Sequence, residues 1–154
     1  MMRIALGSDH AGYDLKSELA KALTGWGHET LDLGTDNATD SVDYPDFGVA
    51  VGRRVASGEC DLGVGVCGTG IGISIAANKV PGVRAAVAHD VTSARLAREH
   101  NHANVLCLGA RLTGSVVARE ALEAWLRATP GEGRHLARIV KLDELDEHLV
   151  DDER

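Results

Sequence analysis

Aromatic side chains are nearly missing from this chain: one Phe, two Tyr and two Trp amount to 3% of its 154 residues. A core built on stacked rings is thereby excluded, and with 18 glycines and 44% hydrophobic content the interior is expected to consist of small-residue layers that approach closely, as in a parallel α/β sheet. The three cysteines, Cys60, Cys67 and Cys107, are an odd number without paired spacing. That excludes a disulfide framework and suits a reducing cytoplasm. No apolar run approaches the roughly 20 residues that cross a bilayer, and the N-terminal residues lack the charged-then-apolar order of a secretory signal. A soluble, cytoplasmic protein is the expectation. Among the seven histidines there is no His-x-x-x-His pair with a helping acid, so no metal site is expected. The glycine-rich run also lacks the Lys-Ser/Thr ending of a nucleotide-binding loop.

Positive charge is in deficit, with a formal net charge of -7. Almost all of it comes from residues 143–154, where Asp143, Glu144, Asp146, Glu147, Asp151, Asp152 and Glu153 face only Arg154. The remaining 142 residues are close to neutral, at -1. The acidity is that of a solvated helix face and chain end, so it does not exclude an anionic ligand elsewhere, and it makes nucleic acid an unsuitable partner.

What is present is an alternation of short apolar runs with helical periodicity over a length that suits one domain, residues 1–154. Strands are expected at Arg3–Gly7, Glu29–Leu33, Leu62–Val66, Val83–Val87 and Val105–Leu108, and helices at Ala11–Thr24, Asp46–Ser57, Ile71–Lys79, Asp90–Glu99 and Gly114–Arg127. The polar run Thr35–Asp43 and the pre-proline Tyr44 mark the one long loop. A last helix fits Arg134–Leu149, with Leu136, Ile139, Val140, Leu142, Leu145 and Leu149 apolar; it packs on its own sheet or on a second copy of the chain, and the second is favoured. The architecture expected is a five-stranded parallel sheet between helices with an extra C-terminal helix.

In such sheets ligands bind past the carboxyl ends of the strands. Four strand ends carry chemistry: Ser8-Asp9-His10, Cys67-Gly68-Thr69-Gly70, Ala88-His89-Asp90 and Gly109-Ala110-Arg111. The most informative is Cys67, which stands between an apolar strand and a glycine turn opening a helix at Ile71. Turned backbone N–H groups and the positive end of the helix dipole favour a thiolate there. Each group also has a plainer role. Cys67 can be a small buried hydrophobe, Asp9 and Asp90 can be helix caps, and His100 can complement a helix C-terminus. His100 and Asn101, at the end of the fourth helix, reach either the same edge or a neighbouring subunit. Arg134 and Arg138, spaced i, i+4, form a solvated face or a phosphate grip.

Taken in order, Gly7-Ser8-Asp9-His10-Ala11-Gly12, Asp43-Tyr44-Pro45-Asp46, Cys67-Gly68-Thr69-Gly70-Ile71-Gly72-Ile73-Ser74 running on to Ala76-Ala77-Asn78-Lys79, Arg98-Glu99-His100-Asn101, Asn104-Val105-Leu106 and Gly133-Arg134-His135-x-x-Arg138 resemble the type B ribose-5-phosphate isomerases and the related galactose-6-phosphate isomerase subunits over almost the whole chain. The resemblance implies a Rossmann-like three-layer α/β/α sandwich and a cofactor-free aldose-ketose isomerase. It further implies a homodimer, often paired into a tetramer, with each site built from both chains. By matching position, Cys67 resembles the base that moves a proton between C1 and C2, and His100 the residue that opens the furanose ring with help from Asp9. The backbone of Gly68, Thr69, Gly70, Ile71 and Gly72, with the Thr69 side chain and Asn101, resembles the anion hole for an enediolate. His10, Arg111, Arg134 and Arg138 resemble phosphate ligands, and Tyr44 a wall of the site. Relatives that lack this cysteine use a glutamate slightly further along, and the corresponding Ile73-Ser74-Ile75 holds no acid. The resemblance leaves four-, five- and six-carbon sugar phosphates open as substrates.

Overall fold

A computed structural model describes residues 1–151, with side chains through residue 147; Asp152, Glu153 and Arg154 of the acidic segment lie outside the described residues. The elements in chain order are β1 (Arg3–Ser8), α1 (Tyr13–Gly25), β2 (Glu29–Asp32), α2 (Tyr44–Ala56), β3 (Leu62–Cys67), α3 (Ile71–Asn78), β4 (Ala85–Val87), α4 (Val91–Asn101), β5 (Val105–Gly109), α5 (Ser115–Arg127) and α6 (Arg134–Asp151). The five strands form one parallel sheet in the order β2-β1-β3-β5-β4.

Central β3 explains the glycine-rich, ring-poor composition. Its residues alternate between faces: Leu62, Val64 and Val66 pack with α1, α4 and α5 on one side, while Gly63, Gly65 and Cys67 face α2 and α3 on the other. A Cβ on Gly63 would stand 2.5 Å from Val51 of α2, and one on Gly65 3.3 Å from Ile73 of α3. The missing side chains therefore let two helices close onto the sheet. The exception to the small-residue core is Trp125 of α5, which is fully buried. No helix among the described residues is long and apolar enough to cross a membrane.

Element types agree with the sequence pattern throughout; several boundaries differ for local reasons. Helix α2 starts at Tyr44 rather than Asp46, because Pro45 falls in the first turn, where its missing N–H costs nothing, and Asp43 takes the extended conformation instead. Helix α1 starts at Tyr13 rather than Ala11, since residues 9–12 form a tighter turn in which Gly12 N–H donates to the Asp9 carbonyl and carboxylate. Strand β4 begins at Ala85, two residues late: Val83 N–H turns back to the Val80 carbonyl and Arg84 N–H donates to Asn104 Oδ1. Helix α4 runs on to Asn101, ended by His102 in the left-handed region at φ 48°. Asp90 caps α4, its Oδ1 accepting Ser93 N–H at 2.6 Å.

Helix α6 rests on α4 through Ile139, which is buried, while Leu136, Val140, Leu142 and Leu145 stay exposed. Among the described residues its main packing partner is α4 rather than the sheet, although Leu142 and Leu145 share a groove with Ala85 and Ala86 of β4.

Candidate active site

The chain leaves β1 for the outer strand β2 and returns to β3 on the other side of β1, crossing by α1 on one face and by α2 on the opposite face. Such a reversal opens a crevice past the carboxyl ends of β1 and β3. Asp9 and Cys67 line its two sides.

Cys67 ends β3 and is buried. Its Sγ accepts the Gly70 N–H at 3.1 Å, so one donor of the turn is aimed at the sulfur. The turn exists because Gly70 adopts φ 78° and because glycines meet where the backbones cross: a Cβ on Gly70 would lie 2.9 Å from the Leu108 carbonyl carbon, and one on Gly109 2.6 Å from the Thr69 backbone. Cys67 and Gly68 carbonyls accept N–H groups from Ala110 and Arg111 at 2.9 and 3.0 Å, which fixes the turn to the end of β5. Thr69 Oγ1 accepts Ile71 N–H at 3.2 Å, a local turn just before α3. The Arg111 side chain lies over Gly68, and the Tyr44 ring over Gly72, where a Cβ would be 2.6 Å from ring carbons. Across the crevice, Asp9 is buried with Oδ1 bound to Gly12 N–H at 3.0 Å. His10 Nδ1 accepts Val42 N–H at 3.2 Å, which leaves the proton of the neutral ring on Nε2.

Burial pushes the other two thiols, Cys60 and Cys107, upward, Cys107 further because it is wholly enclosed, with the neighbouring Cys67 adding to the shift. Both stay protonated and inert within the core.

One edge of the sheet thus gathers Asp9, His10, Tyr44, Cys67, Gly68, Thr69, Gly70, Ile71, Gly72 and Arg111. His100, Asn101, Arg134 and Arg138 are not among them. Helix α4 starts beside the carboxyl end of β4 and runs back for 11 residues, about 16 Å, so His100 and Asn101 lie at the opposite edge. There Arg84, just before β4, donates through Nε to the His102 carbonyl, and Asn101 lines a groove of about 350 Å³ with Val83, Leu142 and Leu145. The His100 ring stacks on His135 with centroids 4.5 Å apart and planes 8° from parallel. His102 Nε2 and the Gly131 carbonyl, 2.6 Å apart, and Gly131 N–H on the Glu99 carbonyl bind the turn before α6 to the end of α4. Burial holds the His135 ring below the ordinary histidine range, followed by its neighbours His100, Arg134, Arg138 and His102. Of the two routes open to His100 and Asn101, reaching the edge of their own chain is ruled out.

Two contributors were not foreseen. Val42 acts through its backbone N–H, which no side-chain pattern reveals. Lys16 is fully buried beside this edge; a lysine in the stripe of Leu15, Leu19 and Leu23 was the visible signal.

Comparison with known proteins covers almost the whole chain. A family model described as Ribose/Galactose Isomerase matches residues 4–142. Ribose-5-phosphate isomerase B of Escherichia coli is 43% identical over 147 residues, covering 96% of this chain and 98% of its own. Galactose-6-phosphate isomerase subunit LacB of Clostridium acetobutylicum is 43% identical over 96% of this chain and 85% of its own, and D-erythrulose-4-phosphate isomerase 2 of Mycolicibacterium smegmatis is 41% identical over 81% and 84%. The solved structure of Clostridium thermocellum ribose-5-phosphate isomerase B superposes with a TM-score of 0.94 at 51% identity, over 96% of this chain and 99% of that one. Ribose-5-phosphate isomerase B from Mycoplasma genitalium, solved with bound ribulose-5-phosphate, gives 0.91 at 38% identity, over 94% and 96%. By sequence and fold the chain belongs to the Ribose/Galactose Isomerase family and is a sugar-phosphate isomerase.

Proposed function

We propose that the chain interconverts ribose 5-phosphate and ribulose 5-phosphate through an enediolate, as a single-domain cytoplasmic enzyme working in a homodimer. The observation that carries this reading is the buried Cys67 sulfur facing the Gly70 N–H at the head of α3. A thiolate there takes the proton from C2 of the aldose and returns it to C1, while a proton moves from the C2 hydroxyl to the C1 oxygen. Substrate and product are isomers, so the step requires no external electron acceptor. The Gly70 and Ile71 N–H groups are already engaged by Cys67 and Thr69. The developing oxyanion therefore falls to the N–H groups of Gly68, Thr69 and Gly72, each worth about 3 kcal/mol in the transition state.

Ring opening and phosphate binding are assigned to both chains. Cys67 and His100 stand a helix length apart, farther than one pentose phosphate spans, so His100 of the partner subunit faces Cys67, with the partner's Asn101 supplementing the anion hole. Asp9 assists proton transfer in ring opening. His10 and Arg111 hold the phosphate together with the partner's Arg134 and Arg138; bidentate arginines suit a group that does not react but positions the carbon chain. The exposed Leu136, Val140, Leu142 and Leu145 of α6 supply an apolar face for the second copy.

Relatives named for four- and six-carbon substrates match this chain about as well as the pentose enzyme, which keeps a tetrose or hexose phosphate as the second reading. A side-by-side comparison of kcat/KM decides. Ribose 5-phosphate is expected to exceed erythrulose 4-phosphate and galactose 6-phosphate by at least about a hundredfold, since a site that binds each hydroxyl rejects the wrong length. A higher value on either of the others keeps the mechanism and changes the substrate. No turnover of any of them by the chain alone would favour a subunit that needs an unlike partner.

A further inference from the structure

Lys16 belongs to α1, yet its side chain is 0% exposed. Its Nζ donates to Asp32 Oδ1 and to the Thr35 carbonyl, both at 2.6 Å, and stands 5.3 Å from the Tyr13 ring centroid. An ammonium group taken out of water is costly even when paired, and an aliphatic residue is the less expensive occupant of a core-facing helix position. The segment it grips explains its presence. Asp32 Oδ1 also accepts Gly34 N–H at 2.9 Å. The Gly34 carbonyl accepts Ser8 N–H, and Thr35 N–H donates to the Ser8 carbonyl, each at 2.8 Å. From the other face the Phe47 ring closes on Gly34, where a Cβ would lie 3.0 Å from a ring carbon. Residues 32–35 are thereby joined to Ser8, the residue immediately before Asp9 and His10. The chain then continues through the long loop and returns to His10 with the Val42 N–H, before Tyr44 opens α2.

We infer that Lys16 is a positioning residue for the substrate edge: by pinning residues 32–35 it sets the base of the loop whose Val42 N–H orients the His10 ring and keeps its proton on Nε2. The inference extends the reading of His10 as a substrate ligand and rests on it for its kinetic consequence only.

The test compares Lys16→Met, which keeps most of the length of the side chain and removes its charge, with Val42→Pro, which removes the N–H donor and also fixes the backbone there. Each is assayed for kcat and KM on ribose 5-phosphate and for the His10 tautomer by ¹⁵N NMR. In both, KM is expected to rise about tenfold with kcat changed far less, because binding geometry is lost and the base is untouched. His10 is expected to shift from one tautomer to a mixture. The double variant should be little worse than the more affected single one, since both act on the same contact. A folded Lys16→Met variant with wild-type KM and tautomer overturns the inference. If that variant fails to fold, Val42→Pro decides alone, and an unchanged tautomer and KM there overturn it. A shifted tautomer with unchanged KM, alongside a His10→Gln variant of unchanged KM, supports the positioning role and removes His10 from the substrate site instead.

Discussion

Replacing Cys67 by Ala is expected to lower kcat for ribose 5-phosphate isomerisation by about a thousandfold, the scale of losing a positioned base, while the fold survives. Cys67 is buried with Ile73 and Val105 in the cluster beneath α2 and α3, so alanine removes one sulfur atom and leaves the Gly70 N–H without its acceptor. The combined stability cost is about 1–2 kcal/mol. Serine at the same place is expected to fit the space without rescuing the rate, because an alkoxide at neutral pH is far scarcer than a thiolate. The core thiols Cys60 and Cys107, held protonated by burial, offer no substitute. A coupled assay of both directions together with a thermal melt checks this. Activity within tenfold of wild type in a well-folded variant would move the base to another residue.

Gly70→Ala is expected to be the most damaging small substitution in the turn. The residue sits at φ 78°, which costs an L side chain about 1–2 kcal/mol. The new Cβ would also meet backbone at 2.9 Å (Leu108 carbonyl carbon) and 3.1 Å (Gly109 nitrogen). Backbone in a central strand cannot rotate aside, so the turn must move at a further cost of about 1–3 kcal/mol. A stability loss near 3 kcal/mol by chemical denaturation is the expectation, with kcat reduced because Gly70 N–H no longer points at Sγ. Gly68→Ala is the control: its Cβ would meet only the Arg111 side chain, at 3.4 Å, in ordinary contact, so stability should stay close to wild type. Equal behaviour of the two variants would contradict the turn described here.

The strand ends were legible because period-two runs and glycine punctuation mark where a parallel sheet presents its carboxyl edge, and that logic puts Asp9, His10, Cys67 and Arg111 at one edge, where the structure has them too. Where it stopped is instructive. Side-chain type does not show which backbone N–H a turn spends internally, so the engagement of the Gly70 and Ile71 donors by Cys67 and Thr69 emerges only from coordinates. The pre-proline position marks Tyr44 as loop because residues before proline avoid the helical region, but a proline in the first turn overrides that preference. His100 could not be placed until the direction and length of α4 were known. Lys16 shares the apolar stripe of α1 with Leu15, Leu19 and Leu23, but charged residues on helices are normally solvated, and its partners Asp32 and Thr35 emerge only from the fold.

The separation of Cys67 from His100 along α4 gives the account its central claim, that one site needs two chains, and subunit complementation tests it most directly. Cys67→Ala and His100→Ala proteins, each inactive alone, are mixed, denatured and refolded together. Random pairing makes half the dimers mixed, each with one intact site and one doubly impaired, so about one quarter of wild-type activity should return. No recovery from correctly folded mixed dimers would mean that Cys67 and His100 act within a single chain, and would contradict the shared site; a fully active His100→Ala protein on its own would contradict it as well.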